Sequence, residues 1–310
     1  MSTSYYYMRL TTLLFLSFLS LGLTRPSEFI QLEPRNYNWN STLAEDSTLP
    51  EQWYWGDVNG TNYLTKNLNQ HIPQYCGSCW AHGALSSLAD RIKMARNASK
   101  PDINLPVQYL LNCGKVGSCR GGDPLAAYRF IKEKGIPFDT CLAYEACSFD
   151  SVQKVCKNRD FSCIPENICR TCSSKGCQGI DPYPNVTIES YGSVRGWENM
   201  MEEIYLHGPI ACGVDASPLI DYQGGVLDIP DGERAVNHII SVVGWGKDAD
   251  HQYWIVRNSW GEFWGELGFF RVRVGDNQLG IEGDCSYAKP ATWTTHNIPC
   301  AESGSNCQPH

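Results

Sequence analysis

Gln74-Tyr75-Cys76-Gly77-Ser78-Cys79-Trp80-Ala81-His82 is the stretch on which the fold of this chain turns. From Ser78 to Met94 the apolar residues Trp80, Ala84, Leu88 and Ile92 recur at a four-residue step with polar residues between them, which predicts a helix. Cys79 then falls at the helix start. The free N–H groups and the helix dipole there favour an anion, so the position suits a thiolate, the form of cysteine that attacks a carbonyl. Taken alone, Cys76-x-x-Cys79 fits a redox dithiol or a plain structural disulfide as well as it fits a nucleophile.

Two later strings break that tie. Val236-Asn237-His238-Ile239-Ile240-Ser241-Val242-Val243-Gly244-Trp245-Gly246 sets a histidine at the mouth of a buried strand. Tyr253-Trp254-Ile255-Val256-Arg257-Asn258-Ser259-Trp260-Gly261 ends a strand on an asparagine, whose side-chain oxygen suits an imidazole N–H and would fix its tautomer. A lone histidine reads as a satisfied structural residue, and a lone Asn-Ser-Trp-Gly as a turn. Cysteine, histidine and asparagine in three such strings read together as nucleophile, base and orienting group.

These strings resemble the papain family of cysteine peptidases, over roughly Leu49 to Tyr287. The resemblance implies an α+β, papain-like fold of two lobes. A mainly helical lobe would carry the Cys79 helix, and a β-barrel-like lobe would bear His238 and Asn258, with the active-site cleft between. It implies Cys79 as nucleophile, His238 as base and Asn258 as its orienting partner. Gln70 would hold the developing oxyanion together with the Cys79 N–H. Gly121 and Gly122, in Ser118-Cys119-Arg120-Gly121-Gly122, would hydrogen-bond an extended substrate, although a glycine pair also suits a turn. Trp264 would be a further substrate-binding residue, and Trp260 would shield the His–Asn hydrogen bond. The implied disulfides are Cys76–Cys119, Cys113–Cys141 and Cys212–Cys285. Acyl transfer of this kind implies no metal and no organic cofactor.

Within the family, His71-Ile72-Pro73-Gln74-Tyr75 stands as an insertion between Gln70 and the Cys76-Gly77-Ser78-Cys79 string. It resembles the loop of the cathepsin X/Z type, whose members remove C-terminal residues. The implied substrates are peptides or proteins with free C-termini. Their carboxylate would meet His71, best when that ring is protonated, and the Tyr75 hydroxyl as a second donor. An imidazole with an unperturbed pKa of about 6.5 then predicts an acidic working range. The competing readings are an endopeptidase with His71 idle and a non-catalytic binding or storage homologue. Relatives of that type cap the nucleophile with a pro-segment cysteine, and no cysteine precedes Cys76 here.

The 310-residue chain has a net charge of −8 and stays acidic without its first 48 residues, which argues against a nucleic-acid partner. Arg9 followed by the apolar run Leu10 to Leu23 predicts a secretory signal peptide over 1–24, because the run is short for a membrane span. Residues 25–48 are polar without a period and read as a short pro-segment. The peptidase domain is expected over 49–293: a helical lobe at about 70–140, a Cys-rich insertion at about 141–184 and a β lobe at about 185–290. The tail 294–310 reads as flexible unless Cys300 and Cys307 tie it down.

Fifteen cysteines after a signal sequence predict disulfides, and the odd count leaves a thiol over. Seven of them crowd Cys141 to Cys177, where Cys169-x-x-Cys172 with Cys177 imitates a zinc site but reads as disulfides in a secreted chain. Sequons at Asn40, Asn59, Asn97 and Asn185 are glycosylation candidates. The expected setting is the secretory pathway, in a lysosome or outside the cell, as a monomer without a membrane span.

Overall fold

A computed structural model describes residues 26–43, 48–230, 234–305 and 307. The segment expected to be a signal peptide lies outside the described residues. Among those described, no helix is long and apolar enough to cross a membrane.

The helix Cys79–Ala95 is the axis of the fold. Its four-step apolar residues Trp80, Ala84, Leu88 and Ile92 are fully buried. One side packs into a core with Tyr109, Leu110, Tyr128 and Ile131, contributed by the short turn Val107–Tyr109, the π-helical turn Leu110–Gly114 and the helix Pro124–Lys134. Asp123 caps the last of these by accepting from the Leu125 N–H at 2.9 Å. This is the helical lobe.

The other lobe is a nine-stranded sheet. Its central strand His238–Lys247 pairs antiparallel with Ile210–Val214 on one side and Gln252–Arg257 on the other. Cys285–Trp293 and Asn185–Val194 extend it one way, Phe269–Arg273 the other. The strand order has two ends that do not pair with each other, so the sheet is open and not a closed barrel. Its own core gathers Trp245, Trp254, Phe270, Val256 and Met200, the last from the helix Trp197–His207. The lobes meet where Gly83 rests on the central strand. A Cβ there would fall 2.7 Å from Ile239 Cγ2, so only glycine lets the first turn after Cys79 sit directly on the His238 strand.

Seven disulfides use every cysteine except Cys79. Cys76 is bonded to Cys119 and Cys212 to Cys285. The expected Cys113–Cys141 bond is not formed: Cys113 bonds Cys163 and Cys141 bonds Cys169. The reason is the path of the Cys-rich segment. Asn112 donates to the Asn167 carbonyl at 3.1 Å, which lays the loop around residue 163 over the Leu110–Gly114 turn. Cys141, at the end of its own short turn, is left facing Cys169. Cys147–Cys156, Cys172–Cys177 and Cys300–Cys307 complete the set, so Cys169, Cys172 and Cys177 are all in disulfides rather than a thiolate cluster. The described part of the tail lies on the Arg170–Gly179 hairpin, where Thr171 donates to the Glu302 carbonyl at 3.4 Å. Asn40, Asn59 and Asn97 are exposed, whereas Asn185 is half-buried at the start of its strand.

Candidate active site

The chain brings Cys79, His238, Asn258 and Gln70 together at the junction of the lobes, all of them buried. His238 Nε2 and Asn258 Oδ1 are 2.8 Å apart. An amide oxygen only accepts, so Nε2 carries a proton and Nδ1 is the nitrogen left for the cysteine. The Asn258 oxygen is itself fixed by the Ser259 N–H at 2.8 Å. Cys79 Sγ accepts from the Ile239 N–H at 3.4 Å. Sγ, the His238 nitrogen and a Glu28 carboxylate oxygen lie within 4.8 Å of one another. These are donor types that a thiophilic cation accepts. Trp260 covers the imidazole, ring centroids 5.1 Å apart.

Gln70 is held on three sides. Its N–H donates to the Ser259 carbonyl at 2.8 Å, its carbonyl accepts from the Tyr144 hydroxyl at 2.8 Å, and its Oε1 accepts from Ser259 Oγ at 2.6 Å. Its Nε2, on the cysteine side, donates to the Cys76 carbonyl and to Glu28 Oε2, each at 3.0 Å. Tyr144 continues to Ser78 Oγ at 2.7 Å, and Ser78 to His82 Nδ1 at 3.2 Å. Burial pushes the His82 pKa down to about 4, a shift only partly opposed by the Ser78 carbonyl, so the ring is neutral in the fold. Ser259, Tyr144 and His82 escaped the sequence reading as parts of the site. Ser259 sits inside the quoted Asn-Ser-Trp-Gly string, and its position there was the available signal.

The insertion stands beside this centre. His71 and Tyr75 stack with ring centroids 4.7 Å apart and planes 11° from parallel. Gln74 Nε2 donates to the Ala146 carbonyl at 3.1 Å and touches both sulfurs of Cys147–Cys156, while Gln153 Nε2 reaches the Tyr75 carbonyl at 3.2 Å. A disulfide loop of the Cys-rich segment thus supports the insertion. Trp264 lies one ring behind Trp260 at 5.1 Å, buried, its N–H on the Leu219 carbonyl. The exposed neighbour at that rim is Phe263.

Residues 26–43 also cross the site. The Glu28 N–H donates to the Asn237 carbonyl at 2.8 Å. Gly122 N–H donates to the Glu28 carbonyl at 3.3 Å, and the Gly122 carbonyl accepts from Ile30 at 3.0 Å. Gly122 thereby pairs with an extended backbone. A Cβ on Gly121 would approach the Glu28 carbonyl to 3.0 Å.

A catalytic-type cysteine, an oriented imidazole and an amide donor between a helical and a sheet lobe are the parts of a thiol peptidase. The model of the papain family of cysteine proteases matches residues 49–289, and the chain belongs to that family. It is 41% identical to a cathepsin Z of Onchocerca volvulus over 84% of this chain and 82% of that one. It is 33% identical to the cathepsin B-like cysteine proteinase 6 of Caenorhabditis elegans, over 67% of this chain and 58% of that protein. Among solved structures, procathepsin B S9 of Trypanosoma congolense superposes with a TM-score of 0.65 at 25% identity, covering 86% of each chain. The bromelain protease of Ananas comosus bound to the E64 inhibitor gives 0.61 at 28% identity, covering 78% of this chain and 99% of that one.

Proposed function

We propose that the protein is a cysteine-type carboxypeptidase of the cathepsin Z kind, acting in the secretory pathway or a lysosome after residues 1–48 are removed. Cys79 passes its thiol proton to His238 Nδ1 and, as thiolate, attacks the carbonyl of the last peptide bond. His238 gives its Nδ1 proton to the leaving amine, then takes a proton from water as that water cleaves the thioester. The Nε2–H to Asn258 bond holds the ring plane through both steps. Gln70 Nε2 and the Cys79 N–H stabilise the oxyanion.

The observation that carries the exopeptidase part is the stacked His71–Tyr75 pair on a braced insertion beside Gln70. The Tyr75 hydroxyl donates to a carboxylate, that of Glu28, in this structure. A substrate's terminal carboxylate would use the same donor, with His71 as the charged partner. Matched peptides ending in a free acid or an amide test this. Free acids should be trimmed at least about tenfold faster, the worth of one charge-assisted hydrogen bond. Equal rates would leave an endopeptidase with His71 idle.

A further inference from the structure

Glu28 lies in a segment whose sequence signals no chemistry, yet its side chain and carbonyl both reach the site. Its carboxylate is buried, 2% exposed. Oε2 accepts from Gln70 Nε2 at 3.0 Å and lies 3.5 Å from His238 Nδ1. Oε1 accepts from the Tyr75 hydroxyl. Its own carbonyl lies 3.8 Å from Cys79 Sγ.

We propose that Glu28 is a built-in inhibitor of this site, its side-chain carboxylate standing where the carboxylate product of thioester hydrolysis would stand, so that the precursor is kept latent by a non-covalent anion in place of a thiol cap. The proposal rests on the peptidase reading above and concerns the regulation of the same centre.

The chemistry supports a product mimic. An ionised carboxylate is acceptor-only, and burying one is costly unless donors meet it. Here the donors are those assigned to the reaction: the oxyanion amide of Gln70 and the Tyr75 hydroxyl, with the His238 ring opposite. Hydrolysis of an acyl-enzyme leaves a carboxylate with one oxygen at the oxyanion donor and the other free to turn toward Tyr75. The Glu28 group has that arrangement but is not consumed. A carboxylate offers the thiolate no amine to expel, and its carbon is a poor electrophile.

The remainder of the segment supplies local concentration. Asp123 accepts from the Leu32 and Glu33 N–H groups at 2.7 and 2.9 Å and from Arg35 Nη2 at 2.9 Å. Asp284 accepts from Arg35 Nε at 2.9 Å and from the Tyr37 hydroxyl at 3.1 Å. Glu202 accepts from Ser41, Thr42 and Leu43 at 2.7, 2.9 and 3.0 Å. These anchors hold the chain across the cleft whatever residue 28 is, and so make binding of Glu28 an intramolecular event. Latency and anchoring are therefore separable by substitution.

The test uses the full-length precursor, wild type and Glu28→Gln, with a peptidyl epoxide as probe. Alkylation of Cys79 is followed by mass spectrometry, and intact disulfides and near-ultraviolet circular dichroism confirm folding. The variant should react at least about tenfold faster, because the neutral amide loses the charge-assisted bonds and its NH2 faces donors. Equal rates overturn the proposal. Should the variant not fold, a synthetic peptide of residues 26–43, with Glu28 or the Glu28→Gln change, is added to processed wild-type enzyme. The glutamate peptide should inhibit at least about tenfold more tightly, and equal inhibition overturns the proposal. The processed wild type lacks residue 28 altogether. Failure of that form to cleave peptides would sink the peptidase reading, while the difference in alkylation rate would still report on Glu28.

Discussion

The Ser259 hydroxyl donates to Oε1 of Gln70 at 2.6 Å and, together with the bond from Nε2 to the Cys76 carbonyl at 3.0 Å, sets which end of the Gln70 amide faces the cysteine. With Oε1 occupied, Nε2 is presented as a donor. In the mature enzyme Ser259→Ala is expected to lower kcat about tenfold with little change in KM, since the lost orientation matters most when the oxyanion forms. Ser259→Thr, which keeps the hydroxyl, should restore most of the rate. Steady-state kinetics on one peptide check both, and an unchanged kcat in the alanine variant would show that Gln70 needs no such partner.

Asp90 and Arg257 join the two lobes through a fully buried ion pair, eleven residues along the helix from Cys79 and adjacent to Asn258. Thr65 adds its N–H at 2.7 Å and its hydroxyl at 2.8 Å to the same Asp90 oxygen. Burial pushes the Asp90 pKa up, and Arg257 and Thr65 oppose it. Removing one partner strands a charge in a dry interior. Arg257→Met should therefore cost about 3–5 kcal/mol in urea unfolding of the precursor. A loss below about 1 kcal/mol would mean that solvent reaches Asp90.

His82 makes stability depend on pH. Its pKa is about 4 in the fold because burial disfavours the charged ring, against about 6.5 in the unfolded chain. The unfolded state therefore takes up the proton first as pH falls. The contribution of His82 is complete above about pH 6.5, declines between about 6.5 and 4, and levels off below, for a total of about 3 kcal/mol. Urea midpoints of wild type and His82→Gln, compared at several pH values, check this. The variant should lose less stability across that window, and parallel curves would remove His82 from the account.

The Cys147–Cys156 loop supports the insertion through Gln74 and Gln153 and so, on the proposed carboxypeptidase reading, would bear on specificity. Replacing both cysteines by serine should leave the Cys79 centre intact but loosen the His71–Tyr75 stack. The preference for free-acid over amide peptides is expected to fall several-fold, while cleavage of an internal bond in a long peptide persists or rises. An unaltered preference would show that the insertion holds its shape unaided.

Much of this was legible in the sequence, and for identifiable reasons. The helix Cys79–Ala95 follows from a sustained four-residue period, and the strand Gln252–Arg257 from the aromatic and β-branched run Tyr253-Trp254-Ile255-Val256 that leads to Asn258. The long strands Asn185–Val194 and Cys285–Trp293 carry no such signal. Their pairing slips at Lys289 and Pro290, which breaks the alternation a strand would otherwise show. The fate of seven clustered cysteines is combinatorial, and the true partners were set by the path of a loop with no period. Glu28 was invisible for a related reason. One acidic residue in a polar, aperiodic stretch gains its meaning only when the chain folds back over Gly122.

Asp123, Asp284 and Glu202 now spend their lone pairs on residues 32–43. Cutting those residues away would strip three carboxylates of their partners along the vacated track, leaving Asp123 little besides its helix cap. The active form would then present an anionic rim on an already acidic protein. Cationic peptides would be drawn to that rim and acidic ones turned away, and rising ionic strength would flatten the difference.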